Sequence, residues 1–133
     1  SNQAGVGRGI YSQRTLEAIT AKMLSVVEDA GGKITKVYYC THRKEAGCSC
    51  RKPKPGMLKS AAKEFGFTLK GAYFIGDTIR DIQTAKNAGC KPILVLSGKE
   101  KIKDKNGRGD LNLPYHQVFK GLKEAVNFII RKI

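Results

Sequence analysis

The chain has 133 residues, 41% of them hydrophobic, and lysine and arginine outnumber aspartate and glutamate by 25 to 11, a formal net charge of +14. That length supports a single domain over 1–133 with a real core and excludes two; no run approaches the roughly eighteen apolar residues of a membrane-crossing helix, and no basic-then-apolar secretory leader opens the chain. Four cysteines in a chain read as cytoplasmic point to metal ligands or buried thiols more readily than to disulfides.

At the start, Ser1, Asn2 and Gln3 lead into Gly5, Gly7 and Gly9 around Arg8. A hydroxyl, amide side chains and exposed backbone N–H groups of this kind can cradle an anion; a flexible tail is the plainer alternative. From 12 to 30, Leu16, Ile19, Met23, Val26, Val27 and Ala30 fall on one helical face. Ser12 is the expected cap, and Gly31 with Gly32 the stop. The short segment 34–39 is rich in β-formers and is expected to be a strand delivering the chain to Cys40.

Cys40, His42, Cys48 and Cys50 then bring three thiols and an imidazole within eleven residues. Four such donors can close a tetrahedron around Zn²⁺, which takes sulfur and nitrogen and has no d-electron geometry of its own. A metal loop over 40–50 would present the following Arg51 and Lys52 in a fixed direction, an arrangement suited to holding phosphate. Cys90, just after Gly89, reads instead as a small buried hydrophobe.

Pro55 and Gly56 open a second helix, with Met57, Leu58, Ala61, Ala62 and Phe65 inward and Gly66 at its end. Residues 72–75 read as a buried strand, 79–88 as a helix, 92–96 as another buried strand, 98–109 as a mobile surface loop, and 118–130 as a closing helix. Helices alternating with short apolar strands imply an α/β fold with a parallel sheet covered on both faces. Function then gathers at the carboxyl ends of the strands. Asp77, following Ile75 and Gly76, sits at such an edge and can bind Mg²⁺, a hard cation that takes oxygen ligands. Asp81, four residues on, can orient that shell or simply favour the positive end of the helix.

A net charge of this size attracts polyanions, nucleic acid included. Here the charges are spread through helices and loops, with one local cluster at 99–105 and no interleaved aromatic platform. A solvated surface that steers small anionic substrates is the favoured reading over nucleic-acid binding.

Ser1-Asn2-Gln3 with Gly7-Arg8-Gly9, the Cys-x-His…Cys-x-Cys loop, Cys50-Arg51-Lys52-Pro53 and Gly76-Asp77 with Asp81 occur in this order in the haloacid dehalogenase (HAD) superfamily. The chain resembles, over its whole length, the zinc-containing histidinol-phosphate and D-glycero-D-manno-heptose 1,7-bisphosphate phosphatase group. The glycine-Arg8-glycine stretch is closer to the heptose enzymes. The resemblance implies a Rossmann-like HAD fold and Mg²⁺-dependent hydrolysis of a sugar bisphosphate through an aspartyl-phosphate. Ser1 would hydrogen-bond the transferring phosphoryl group, and Asn2, Gln3 and Ala4 would line the substrate site. Arg51 would recognise the substrate, Lys52 would neutralise phosphoryl oxygens, and Asp77 would bind Mg²⁺. Zn²⁺ on Cys40, His42, Cys48 and Cys50 would be structural; with all four positions filled by protein it would not activate water.

Two departures stand beside the match. The family's nucleophile and general acid/base are two aspartates spaced two apart, upstream of the Ser-Asn-Gln motif, and no Asp-x-Asp occurs in the 133 residues. The first two strands of the family's sheet are likewise expected to be missing, so that the chain is part of a longer phosphatase and has no turnover by itself. Thr78 stands where the heptose enzymes usually carry lysine. The alternatives are a histidinol-phosphate phosphatase and a non-catalytic, zinc-stabilised module binding nucleic acid. The partners expected are a small phosphorylated substrate and no membrane, with a monomer or association with the missing N-terminal segment.

Overall fold

The computed structural model describes residues 1–98 and 117–133. Its contacts divide the chain into two compact units, Ser1–Arg51 and Lys52–Ile133.

In the first unit a short helix α1 (Ala4–Gly7) is followed by α2 (Gln13–Asp29). Ser12 is extended and its hydroxyl accepts from the Thr15 N–H, satisfying one of the orphan donors of the first turn. The apolar face expected on α2 is only partly inward. Leu16 is buried and Val27 half-buried, whereas Ile19 and Val26 are 58% and 53% exposed and Met23 is exposed too. At 3.6 residues per turn two neighbouring stripes run down the helix. The one carrying Leu16 and Thr20 faces the segment leading to Cys40, where the Thr20 and Tyr39 hydroxyls lie 2.7 Å apart.

Residues 34–39 do not form the expected strand. A strand exists by pairing backbone groups with a neighbour, and among the described residues the backbone bonds found here lie at the tip: Ser1 N donates to Tyr38 O at 2.7 Å, Cys40 N to Ser1 O at 2.9 Å and Gln3 N to Cys40 O at 2.7 Å. The result is a single parallel bridge, Asn2 to Cys40. A 3₁₀ turn, Lys44–Ala46, lies inside the cysteine loop.

The second unit contains α3 (Gly56–Phe65), β1 (Tyr73–Gly76), α4 (Ile79–Ala88), β2 (Lys91–Val95), β3 (Gln117–Phe119) and α5 (Leu122–Ile130). The strands form a parallel sheet in the order β1-β2-β3, with Ile75 opposite Ile93 and Leu94 opposite Val118. Successive residues of β2 point to opposite faces, and both are covered. Leu94 packs with Ile82 and Ile79 of α4, while Ile93 and Val95 pack with Ala125, Phe128 and Ile129 of α5. This is the α/β sheet flanked by helices that the alternating pattern implies. A strand enclosed on both sides is apolar throughout, as Pro92 to Val95 are.

Two expectations in this unit are corrected. Residues 118–130 are not one helix: Gln117–Phe119 is an edge strand, and α5 begins only after Gly121. The β-forming Val118 and Phe119 pair with β2, and three residues are too few to carry a readable period. Phe65 is not inward but 46% exposed, because α3 ends there and Gly66 takes a left-handed turn. The expected loop at 98–109, including the basic cluster at 99–105, lies from 99 onward outside the described residues. Among the described residues no helix is long and apolar enough to cross a membrane.

Candidate active site

The first unit gathers Cys40, His42, Cys48 and Cys50, whose donor atoms all lie within 4.8 Å of one another. Cys40 Sγ is 3.6 Å from His42 Nδ1 and 3.6 Å from Cys48 Sγ, and His42 Nδ1 is 3.2 Å from Cys50 Sγ. A tetrahedron with Zn–S bonds of about 2.3 Å and Zn–N of about 2.0 Å has edges of roughly 3.5–3.8 Å; the two 3.6 Å spacings match it and the 3.2 Å one is tighter. The sulfur chemistry agrees. Burial raises the Cys48 thiol, yet hydrogen bonds from the Arg51 backbone, Cys40 and Cys50 outweigh it and bring it down to about 6. Burial and the neighbouring sulfurs Cys40 and Cys48 push Cys50 up to about 12. Negative charge that collects on the cluster after one proton leaves resists further ionisation until a cation neutralises it. The residues present therefore fit a soft divalent metal. Cys90 is buried elsewhere, its thiol raised by burial, as expected of a packing residue.

The Ser1-Asn2-Gln3 motif is fastened to the same loop through the backbone bonds to Cys40. Tyr11 OH donates to Gln3 Oε1, and Gln3 Nε2 donates to Ser1 Oγ at 3.3 Å. Gly7 N donates to Thr41 O at 3.1 Å, and a Cβ at Gly7 would lie 2.4 Å from that carbonyl oxygen. Only glycine allows that approach. Arg43 Nε then donates to Gly7 O at 2.8 Å. Tyr11 and Arg43 were not singled out from sequence; the glycines around Arg8, which mark where another chain segment comes close, are the signal that could have led to them. Ala4 and Arg51, both expected at the substrate site, line one cavity of about 580 Å³ in this unit.

The second unit contains Lys52, Asp77 and Asp81. The Lys52 ammonium pairs with Asp81 Oδ1, with side chains 20% and 4% exposed. Asp81 also closes a capping box on α4: its N–H donates to Thr78 Oγ1 at 3.1 Å, while Thr78 N and Oγ1 donate to Asp81 Oδ2 at 3.2 and 2.7 Å. Burial alone would raise the Asp81 carboxyl; hydrogen bonds from Lys52 and Thr78 and the Lys52 charge overcome it and hold the group below the usual carboxylate range. Asp81 thus holds Lys52 and caps the helix, the second of the two roles open to it from sequence and one more besides. Thr78 is spent on that cap.

Gly76 is required here because a Cβ would fall 2.2 Å from Asp81 Cβ, a contact no side-chain rotation relieves. Asn87 Nδ2 donates to Pro53 O at 2.9 Å, tying down the residue after Lys52. Asp77, half-buried at the carboxyl end of β1, lines a cleft of about 380 Å³ with Gly76, Ser97, Gly98 and the apolar Ile75, Val95 and Leu122. A strand-end carboxylate is a donor a hard cation accepts.

Comparison with known proteins agrees with this geometry. The HAD-hydrolase-like family model matches residues 49–125. The D-glycero-beta-D-manno-heptose-1,7-bisphosphate 7-phosphatase of Pseudomonas aeruginosa is 42% identical over 99 residues, covering 74% of this chain and 56% of that protein. The enzyme of the same name from Neisseria meningitidis serogroup A is 38% identical over 133 residues, covering 99% of this chain and 70% of the relative. The chain therefore spans little more than half the length of the first of these relatives. A crystal structure of the D,D-heptose 1,7-bisphosphate phosphatase of Bordetella bronchiseptica, complexed with magnesium and phosphate, matches 99% of this chain and 72% of that one, with a TM-score of 0.86 and 35% identity. With a family model covering more than half of its residues and relatives aligned over nearly all of them, the chain belongs to the HAD-hydrolase-like family.

Proposed function

We propose that this chain carries the phosphate-holding machinery of a Mg²⁺-dependent phosphatase acting on a sugar bisphosphate of the heptose 1,7-bisphosphate type, in a cytoplasmic setting where its thiols stay reduced. The observation that supports it most is the Lys52 ammonium held by buried Asp81, one turn along the chain from the strand-end carboxylate Asp77. The names and the crystal ligands of the relatives point the same way.

In this reading Lys52 sets a positive charge against oxygens on which negative charge builds during phosphoryl transfer, the term that dominates such catalysis. Asp81 fixes the direction of that charge, so little reorganisation is needed when the substrate arrives. By the same resemblance Ser1, whose hydroxyl accepts from Gln3, would hydrogen-bond a transferring phosphoryl group. Asn2, Gln3 and Ala4 line the sugar side, and Arg51 recognises the substrate. Mg²⁺ on Asp77 would neutralise phosphoryl oxygens. Zn²⁺ on Cys40, His42, Cys48 and Cys50 would hold the loop that ends in Arg51 and would do no chemistry.

The 133 residues contain no Asp-x-Asp pair, so the isolated chain is expected to bind phosphate and not to release it from an ester. Phosphate release from heptose 1,7-bisphosphate and histidinol phosphate, measured for the natural protein, tests the reading. Turnover of the bisphosphate that falls by about a thousand-fold in Lys52→Ala is expected, on the scale of losing one preorganised donor. Turnover of histidinol phosphate alone would defeat it.

A further inference from the structure

One helix holds Lys52 at two points. The Lys52 ammonium pairs with Asp81 in the first turn of α4, and the carbonyl of the next residue, Pro53, accepts from Asn87 Nδ2 in the last turn at 2.9 Å. Asp81 and Asn87 stand six positions apart, about 9 Å along the helix axis. The helix is a firm support: Asp81, Ile82, Thr84 and Ala85 are buried, and Ile82 packs on Leu94 of β2. Asn87 itself is exposed, so no burial asks for it, and asparagine is a poorer helix former than alanine. Its amide reaches outside its own helix in place of the nearby backbone groups that asparagine usually bonds. An ion pair alone fixes only the far end of a lysine. A flexible four-carbon stem separates the ammonium from the backbone, and a loose root lets the head swing about the carboxylate. The root of Lys52 adjoins a proline, which has no N–H, so the Pro53 carbonyl is the backbone group through which that residue can be tied. The proline ring also fixes its own φ, and a restraint on its carbonyl therefore reaches the Lys52 backbone one peptide away.

We propose that Asn87 is a positioning residue of the reaction: by fixing the Pro53 carbonyl it sets the root of Lys52, so that α4 holds both ends of the side chain that meets the phosphoryl group. The role of Lys52 rests on the phosphatase reading above; the restraint rests on the two contacts alone. Developing charge is stabilised in full only by a donor already in place, and a misplacement of about 1 Å can lower a rate by up to about a hundred-fold. Without Asn87 the Asp81 pair and the charge of Lys52 both persist. Ground-state binding then changes little and the transferring step slows, so the effect belongs in kcat and not in KM.

The restraint is read without turnover, as the order parameter of the Lys52 Cε–H bonds from carbon-13 relaxation in the full zinc-loaded chain, with the signal assigned by its loss in Lys52→Met. In Asn87→Ala it should fall toward that of an exposed lysine such as Lys59, while the denaturant midpoint stays close to that of the unaltered chain. The Asp81 carboxyl should still titrate below the usual carboxylate range, because the ammonium remains beside it. Asn87→Asp, equal in size with no N–H to give, should loosen Lys52 in the same way. An order parameter unchanged in both variants overturns the positioning role. In the natural protein, Asn87→Ala should lower kcat for heptose 1,7-bisphosphate by about ten-fold and leave KM within about two-fold. A change confined to KM, or an unaltered kcat with a loosened Lys52, overturns the role as well. Absence of turnover in the unaltered natural protein defeats the phosphatase reading and this role with it; turnover with a Lys52 that Asn87 does not restrain defeats this role alone.

Discussion

In the cysteine loop at 40–50 the longest regular element is the three-residue turn Lys44–Ala46, while the turn at 76–81 runs directly from a paired strand into a capped helix. Each region carries residues proposed to act on phosphate, but different physics holds them. Around Asp77 the backbone is tied by the β1–β2 ladder, by Ile82 packing on Leu94, and by the reciprocal bonds of Thr78 and Asp81. Around Cys40 the buried apolar content is small, and donor atoms sit at coordination distances where a core would otherwise be. A sheet end keeps its shape through packing; a sulfur cluster keeps it only while something neutralises the sulfurs. The difference predicts that the two regions fail under different insults.

Removing the metal is the largest of these. Structural Zn²⁺ sites contribute on the order of 10 kcal/mol of apparent binding free energy that is also folding free energy. Cys40→Ser, or exhaustive chelation, should reduce zinc from one equivalent to none and expose amides at 38–50 to fast hydrogen exchange. Amides of β1, β2 and α4 should stay protected. Equal loss of protection in both regions, or a chain that keeps its loop in chelator, would show that the cysteines are packing residues and not ligands.

Breaking the other region takes a change of charge. Lys52→Ala leaves Asp81, 2% exposed, as a buried carboxylate without its cation, and such an uncompensated charge costs about 3–5 kcal/mol. Lys52→Ala with Asp81→Asn should recover most of that stability and none of the phosphate binding assigned to Lys52. Denaturant midpoints and phosphate titrations on the single and double variants check both halves. An unaltered midpoint in Lys52→Ala would mean that the pair is not held as described.

How much of this contrast was readable in the sequence follows from the range of the interactions. The four candidate donors lie within eleven residues, and their spacing alone marks them as a possible metal set. Ser12, Gly66 and the 79–88 helix were legible because caps and stops act on their own turn. The partner of Lys52 was not, because Asp81 lies 29 residues away and no local pattern links an ammonium to a helix cap. Segment 34–39 has strand composition without strand pairing, since composition states a preference and hydrogen bonds need a neighbour. β3 was hidden by its length, and Arg43 by a bond that reaches 36 residues back to Gly7. The fold class was therefore open to reading from alternation, and the candidate donor set from spacing. The contacts that orient the cations needed coordinates.

Acid sharpens the comparison further, and the sign separates the regions. The Asp81 carboxyl is held below its unfolded value of about 3.9, so its contribution is complete above that pH and is lost as pH falls through the lower folded value. Asp81→Asn should therefore flatten the acid limb of the stability curve below about pH 4 and leave zinc retention at higher pH as it was. Zn²⁺ held by the cysteine loop should leave at higher pH than that, because protons compete with it for thiolate and imidazole. Stepwise acidification followed by hydrogen exchange and zinc release should show the 40–50 loop opening first and the β1–α4 turn later.

The smallest effect concerns the two helix caps. Ser12 and Thr78 both accept from the N–H three residues on, yet Ser12 is exposed and Thr78 is half-buried against a charged partner. Ser12→Ala should cost about 1 kcal/mol, an ordinary cap loss that water partly replaces. Thr78→Ala removes the same kind of bond and also the 2.7 Å hydroxyl donor to Asp81 Oδ2. It should therefore cost more than Ser12→Ala, and its excess should shrink in the Asp81→Asn background, where no full charge needs that donor. Chemical denaturation of the two single variants and the Thr78→Ala, Asp81→Asn double variant gives the coupling directly. Equal costs for the two caps, with no coupling to Asp81, would mean that the turn after Asp77 is held by the sheet alone.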